Sequence, residues 1–416
     1  MKQLAIKNIS IGDELLIGQV INTNAAWLGE HLSEAGFQLD STLTIGDSEK
    51  AILDAFNACM DADLVLVTGG LGPTADDITK PTVCKFFDTE LKFCQTAYDN
   101  VVALFKRRGF QMSERNRNQA MLPKACEYIP NTYGTAPCMW LEKNGVAFAF
   151  MPGVPFEMKG IFTDELLPRI KQRFHAVSYE KRVIMTTGIG ESFLADRIKD
   201  WEDALPEFLS LAYLPQYGMV RLRLSGRHED AKLLHDTLDD EVAKLQTLIS
   251  EYIFAMQDQL IERAVFDLLL NKGMTFASAE SCTGGNIAHV FTLIPGSSGV
   301  FKGTAVTYAT PMKTKVLGVP ADTIERCGVV SQEVVEAMAV GVRNLMESDF
   351  GVATTGVAGP SGGTEENPVG TVWIGVASAS GVVSKRFNFG KDRENVINRA
   401  TIAAYEMLRQ EIIQII

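Results

Sequence analysis

A chain of 416 residues, 46% hydrophobic and 22% charged, is globular in composition and too long for one ordinary core. Its formal net charge of −12 argues against a general nucleic-acid binder, which needs a basic face, while leaving room for a small anion in a local pocket. No apolar run approaches the ~20 residues of a membrane span, and the opening MKQLAIKNISIGDELL lacks the apolar core and cleavage site of a signal peptide. The seven cysteines are scattered, odd in number and without a C-x-x-C, which suits reduced thiols in a cytoplasmic protein and frames no zinc site.

Residues 1–170 alternate short β-branched strands with helices. AAWLGEHLSEAGF (25–37) has helical spacing with Gly36 as its stop, DLVLVTGG (63–70) is a buried-strand run, and VAFAFMPGVPFEM (146–158) is a strand followed by a turn. Such alternation predicts a mostly parallel sheet covered on both faces. VTGGLGPTADDITK (67–80) lacks the G-K-[ST] ending of a Walker A loop. Its glycines Gly69, Gly70 and Gly72 expose backbone donors, and Asp76 and Asp77 can hold a metal beside a pyrophosphate. The plainer reading is that Thr74 or Asp76 caps a helix.

Residues 171–255 read as a small α+β unit. KRVIMTTGIGES gives a strand and turn, FLADRIKDWEDAL a helix, MVRLRLSGR (219–227) an alternating half-exposed strand, and EDAKLLHDTLDDEVAKLQTLI (229–249) an amphipathic helix. The unit is KH-like in outline but has no G-x-x-G clamp, so a spacer is the first expectation.

A second complete α/β domain occupies 256–416. LIERAVFDLLLNKG (260–273) is a helix closed by glycine, MTFASAES a strand, NIAHVFTLI a helix, and GTAVTYA, FGVATTGVAG and GTVWIGVAS are further strands. AESCTGG (279–285) follows the first of these strands, where open α/β sheets gather their ligands. Ser281 is the candidate nucleophile. Gly284 and Gly285 allow close backbone approach, and the N–H groups of the next helix would face an anion or a developing oxyanion. Alternatively Ser281 or Thr283 only caps that helix.

A serine nucleophile needs a base. The domain's one histidine, His289, lies eight residues beyond Ser281, ~12 Å along a helix and out of reach. Neither G-x-S-x-G nor S-x-x-K is present, since residue 279 is alanine and 284 glycine. A lysine from another strand remains, and GTAVTYATPMKTKVLGV offers Lys313 and Lys315 just beyond Tyr308. A desolvated lysine loses its proton below its usual ~10.4 and can then act as base. Cys282 is the rival nucleophile, with no histidine placed to activate it.

AESCTGG, PGSSGVF, VTYATPMK, GVVSQEV, GVAGPSGGTEENPVGTV and GKDRENV, in this order, resemble the C-terminal domain of the CinA (competence/damage-inducible protein A) family across nearly all of 260–416. The resemblance implies hydrolysis of the amide of nicotinamide mononucleotide to nicotinic acid mononucleotide and ammonia, in pyridine nucleotide salvage and without a cofactor. It carries the nucleophile to Ser281, the base to Lys313 and the family's tyrosine to Tyr308, with Thr283 beside them. Gly284, Gly285, Ser297, Ser298, Thr310, Gly359, Gly362, Gly363 and Arg393 are the expected substrate-binding residues. The glycine-rich stretch 359–370 would wrap the ligand with backbone donors, and Arg393 would hold phosphate or carboxylate as a fork. Where the family often reads Y-S-N-E-A-K, this chain has Tyr308-Ala-Thr-Pro-Met-Lys313, so Thr310 and Pro311 replace an asparagine and an acid, and the proline is expected to shift the loop carrying the lysine.

The first segment is similar to the molybdopterin-binding fold of the MoaB/MogA type, and more closely to the N-terminal domain of the same family, through ISIGDELLIGQVINTNAAWL, NRNQAMLP, GTAPC and MPGVPFEM. TTGIGES and YLPQYGMVRLRL extend the likeness through the middle. Some members cleave ADP-ribose there with a divalent metal, which implies a pocket of Asn24, Gly69, Gly70, Gly72 and Thr74, with Asp76 and Asp77 as metal ligands. Cys138 stands where the family usually has glycine and is expected to narrow that pocket. Small-molecule nucleotides and a second copy, as a homodimer, are the implied partners. The competing readings are a pterin- or nucleotide-binding module without chemistry, and an accessory of DNA uptake or repair.

Overall fold

The computed structural model describes residues 4–72, 78–109, 112 and 114–415. Two compact units divide the chain, 1–180 with 227–234 and 181–226 with 235–416. Among the described residues no helix is long and apolar enough to cross a membrane.

In the first unit six strands form a sheet in the order Leu39–Ile45, Ile6–Ile11, Leu64–Thr68, Val146–Met151, Cys138–Lys143, Glu127–Ile129. The first four are parallel and the last two join antiparallel. Strand Val146–Met151 is apolar throughout and Leu64–Thr68 is so up to its last residue, because both faces are covered. Val65, Val67, Phe148 and Phe150 pack on one face with Ile52 and Phe56 of helix Glu49–Ala58. Leu64, Leu66, Ala147 and Ala149 pack on the other with Leu28 and Leu32 of helix Thr23–Glu34. Asn22 starts the latter helix by accepting the Ala25 N–H at 3.1 Å.

Two further sheets lie mainly within the second unit. Four strands run in the order Leu209–Gln216, Met219–His228, Ser178–Thr187, Ile253–Ala255, alongside helices Glu191–Asp203 and Ala231–Ile249. Five strands form the C-terminal sheet, in the order Phe301–Val306, Phe276–Glu280, Phe350–Gly356, Thr371–Ser378, Gly381–Asn388. Its first three strands are parallel and the others antiparallel, so parallel and antiparallel pairing divide the sheet.

The two faces of this C-terminal sheet differ in side-chain size. Phe276, Phe350, Val352, Val372 and Ile374 meet helices Ile261–Lys272, Asn286–Thr292 and Arg393–Gln414. Ala277, Ala279, Ala353 and Ala377 face helix Gln332–Leu345. Gly351 completes that thin face, since a Cβ there would collide with the Ala339 carbonyl. A central strand, Phe276–Glu280, thus delivers Ser281 to the carboxyl edge between two parallel neighbours.

Candidate active site

Ser281 leaves the strand with its N–H still donating to the Thr354 carbonyl of the neighbouring strand, at 3.1 Å. Lys313 comes from a helix, Thr310–Leu317, rather than from a loop. Pro311 lies in that helix's first turn, where a missing N–H breaks no intrahelical bond, so the proline helps to start the helix instead of displacing the lysine. The Lys313 side chain is 1% exposed. Its Nζ is 3.0 Å from Ser281 Oγ and 2.7 Å from the Thr307 carbonyl, to which it donates. Burial holds the Lys313 amine below the ordinary lysine range. Lys315, two residues on, is exposed, and so is His289. Cys282 is buried, and that burial pushes its thiol up to about 12, so it is held as the weakly nucleophilic thiol.

Glu280, the residue before Ser281, was not singled out by motif reading. It is wholly buried at the end of an otherwise uncharged strand. Its carboxylate accepts the N–H groups of Gly285, Ile287 and Ala288 at 2.9, 3.1 and 3.0 Å and the Thr283 hydroxyl at 2.8 Å. Ser278 and Thr304 add longer contacts of 3.3 Å each. The start of helix Asn286–Thr292 is therefore filled by the protein's own carboxylate. This corrects the expectation that those N–H groups face a substrate anion. Gly284 donates to the Ser281 carbonyl, so neither glycine's N–H is free for a ligand, though both need φ values of +65° and +102° that favour glycine. Thr283 does not cap the helix itself. It is buried, bonded to Glu280 and within 2.8 Å of Thr354 Oγ1, and so steadies the loop.

Arg393 opens helix Arg393–Gln414 and donates to the Gly359 carbonyl and the Tyr308 hydroxyl, both at 2.7 Å. The contact brings three predicted residues together beside Thr307, whose carbonyl anchors Lys313. Thr310 is exposed on the first turn of the lysine's helix. Gly362 and Gly363 are exposed in the loop after Gly359, and Gly362 lines a cavity of about 740 Å³ with Arg326, Trp373 and Arg386. Ser297 and Ser298 are not brought to this cluster. They form a 3-10 turn just before strand Phe301–Val306, whose first residue pairs with Phe276. That places them at the opposite edge of the sheet from Ser281, a strand length of ~16 Å away.

In the first unit Gly69 and Gly70 adopt φ values of +105° and +64°. The Gly69 N–H donates to the Met151 carbonyl at 3.1 Å, and a Cβ at either glycine would strike Ile11 or Thr79. The Gly69 N–H is thus spent within the sheet, and both glycines permit close packing that a side chain would prevent. Asn24 donates to the Gly153 carbonyl at 2.7 Å, and its buried Oδ1 has no partner among the described residues. Gly72 is described, whereas Thr74, Asp76 and Asp77 lie outside the described residues. Among the described residues no three acidic, histidine or cysteine side chains gather as metal ligands. Cys138 is fully buried in the apolar cluster with Leu28, Leu66 and Ile161, so its thiol fills core volume instead of narrowing a pocket.

Three family models match the chain in succession: a probable molybdopterin binding domain over residues 7–172, the damage-inducible protein CinA KH domain over 181–255, and the CinA C-terminal domain over 258–412. The middle segment is thus KH-like even without a G-x-x-G clamp. A CinA-like protein of Flavobacterium psychrophilum is 42% identical over 98% of both chains, and one of Cytophaga hutchinsonii 41% identical over 97% of both. A solved competence/damage inducible protein of Agrobacterium tumefaciens is 35% identical over 37% of this chain and 94% of its own, with a TM-score of 0.36. With this identity sustained over almost its whole length and all three domain models in register, the chain belongs to the CinA family.

Proposed function

We propose that the C-terminal domain hydrolyses the carboxamide of nicotinamide mononucleotide to nicotinic acid mononucleotide and ammonia, with Ser281 as nucleophile and Lys313 as general base. The observation that carries this reading is the 3.0 Å separation of Ser281 Oγ from a buried Lys313 Nζ. A neutral Lys313 keeps one N–H on the Thr307 carbonyl and turns its lone pair to the serine hydroxyl. Ser281 Oγ then forms a bond to the amide carbon while its proton passes to Nζ. The C–N bond breaks as Nζ returns that proton to the leaving nitrogen, which departs as ammonia. Water attacks the resulting ester with Nζ again taking the proton, and Ser281 leaves with it. Arg393 is exposed and has no carboxylate partner among the described residues, so it offers a local positive charge to an anionic substrate on an otherwise acidic protein.

The decisive measurement is ammonia released from nicotinamide mononucleotide by the purified chain and by Ser281→Ala. Turnover in the parent and its loss in a folded Ser281→Ala is the expected result. A parent that binds the nucleotide without releasing ammonia would instead support a binding module.

A further inference from the structure

A cavity of about 890 Å³ lies in the second unit, apart from the Ser281–Lys313 pair. Its walls come from the turn between strands Leu209–Gln216 and Met219–His228, the start of helix Ile261–Lys272, helix Asn286–Thr292 and helix Arg393–Gln414. From the last helix it takes Asn395, Asn398, Arg399 and Ile402, spaced as one helical face. Arg393, which serves the candidate active site, projects from roughly the opposite face at 100° per residue.

Three kinds of group meet in this cavity. Lys391 and Arg399 are exposed and have no carboxylate partner among the described residues. Glu262 is partly buried and has no cation partner among them, and its burial raises its carboxyl above the usual range. Tyr217 and Phe389 supply aromatic faces. Asp392, which also lines the cavity, spends its carboxylate on the Asn395 N–H, so the unpaired groups there are the solvated cations Lys391 and Arg399 and the partly desolvated acid Glu262, which gives up solvent without gaining a cation partner among the described residues. They suit a ligand that is anionic at one end and offers N–H donors at the other, with a flat ring between. The volume falls in the range of small-molecule sites.

We propose that this cavity is a second ligand site, for a guanine nucleoside phosphate. The phosphate lies on Arg399 and Lys391, the base between Tyr217 and Phe389, and the base's two adjacent N–H donors on the two oxygens of Glu262. Adenine cannot make the same pair, because it presents one donor beside an acceptor. The site does not depend on the deamidation reading, since it is tested by binding alone.

Calorimetric titration of the full Ser281→Ala chain with GMP, AMP and inorganic phosphate tests it. GMP is expected to bind more tightly than AMP and much more tightly than phosphate. Arg399→Ala should weaken GMP by about tenfold or more, and Glu262→Gln should erase the preference over AMP. Arg393→Ala should leave GMP binding unchanged. Lys391→Ala provides a second cation variant, and matching melting curves establish that each variant is folded. The proposal is overturned if GMP does not bind in the millimolar range, if phosphate binds as well as GMP, if folded Arg399→Ala and Lys391→Ala both bind like the parent, or if Arg393→Ala alone abolishes binding.

Discussion

Lys313 has lost nearly all contact with water, and desolvation alone makes its charged form costly. A base must be neutral, so activity should fall on the acid side with an inflection below the ~10.4 of free lysine. Lys313→Met should lower turnover by orders of magnitude while changing substrate binding little, because the amine acts chiefly in the transition state. Lys315→Met, on an exposed side chain, is expected to keep the parental pH profile. The same burial sets a stability test with a definite sign. Between the lowered folded pKa and the ordinary unfolded one, the unfolded chain binds more protons, so this lysine's contribution to stability rises with pH. Lys313→Met should therefore melt above the parent at neutral pH, and the gap should close as pH climbs through the unfolded lysine's range. Cys282→Ala, which removes a buried and fully protonated thiol, should retain most ammonia release.

The turn from strand Phe276–Glu280 to helix Asn286–Thr292 is held by one side chain. Glu280 satisfies three backbone N–H groups that no intrahelical bond can reach. Removing it in Glu280→Ala leaves those partly or wholly buried donors unpaired, while the Thr283 hydroxyl keeps only Thr354, at a cost of about 2–4 kcal/mol. Glu280→Gln keeps one acceptor oxygen but turns an NH₂ toward the remaining donors, so it should recover only part of that loss. Urea unfolding of the two variants measures this, and a parental midpoint for Glu280→Ala would refute the account. The helix Thr310–Leu317 makes the opposite case. Because Pro311 sits in its first turn, Pro311→Ala should change stability by less than about 1 kcal/mol and leave activity near the parental level.

In the second unit the KH-like segment and the C-terminal domain share one apolar cluster. Met185, Met219, Phe254 and Ala255 are buried with Ile261, Val265, Tyr405 and Leu408. The five-stranded sheet with its helices contains the whole Ser281–Lys313–Arg393 arrangement, so a chain of residues 256–416 should fold and release ammonia by itself. It should nevertheless melt well below a chain of residues 181–416, because cutting before 256 bares the apolar partners of the shared cluster. Scanning calorimetry of the two truncations, paired with the ammonia assay, is the check. Equal melting temperatures would mean that the shared cluster contributes nothing to stability.

Local pattern was enough to identify the strands that deliver Ser281, the helix stopped by Gly273 and the absence of a usable histidine, because burial periodicity, glycine punctuation and residue inventory are properties of short stretches. The family resemblance in the same residues carried the proposed role of base to Lys313. Sequence pattern missed strand Gly381–Asn388, an edge strand with mostly solvated side chains and therefore a weak apolar signal. Four decisions needed the tertiary structure. A proline mistaken for a loop disturbance begins a helix, and Cys138 packs in a core instead of narrowing a pocket. Ser297 and Ser298 sit at the far edge of the sheet although their motif lies between those of Ser281 and Lys313 in the chain. Finally, Glu280 claims the helix N-terminus that an anionic ligand would have needed. Each depends on which groups chain crossings bring within a few ångströms, and on how little water they leave, and neither is encoded in spacing along one segment.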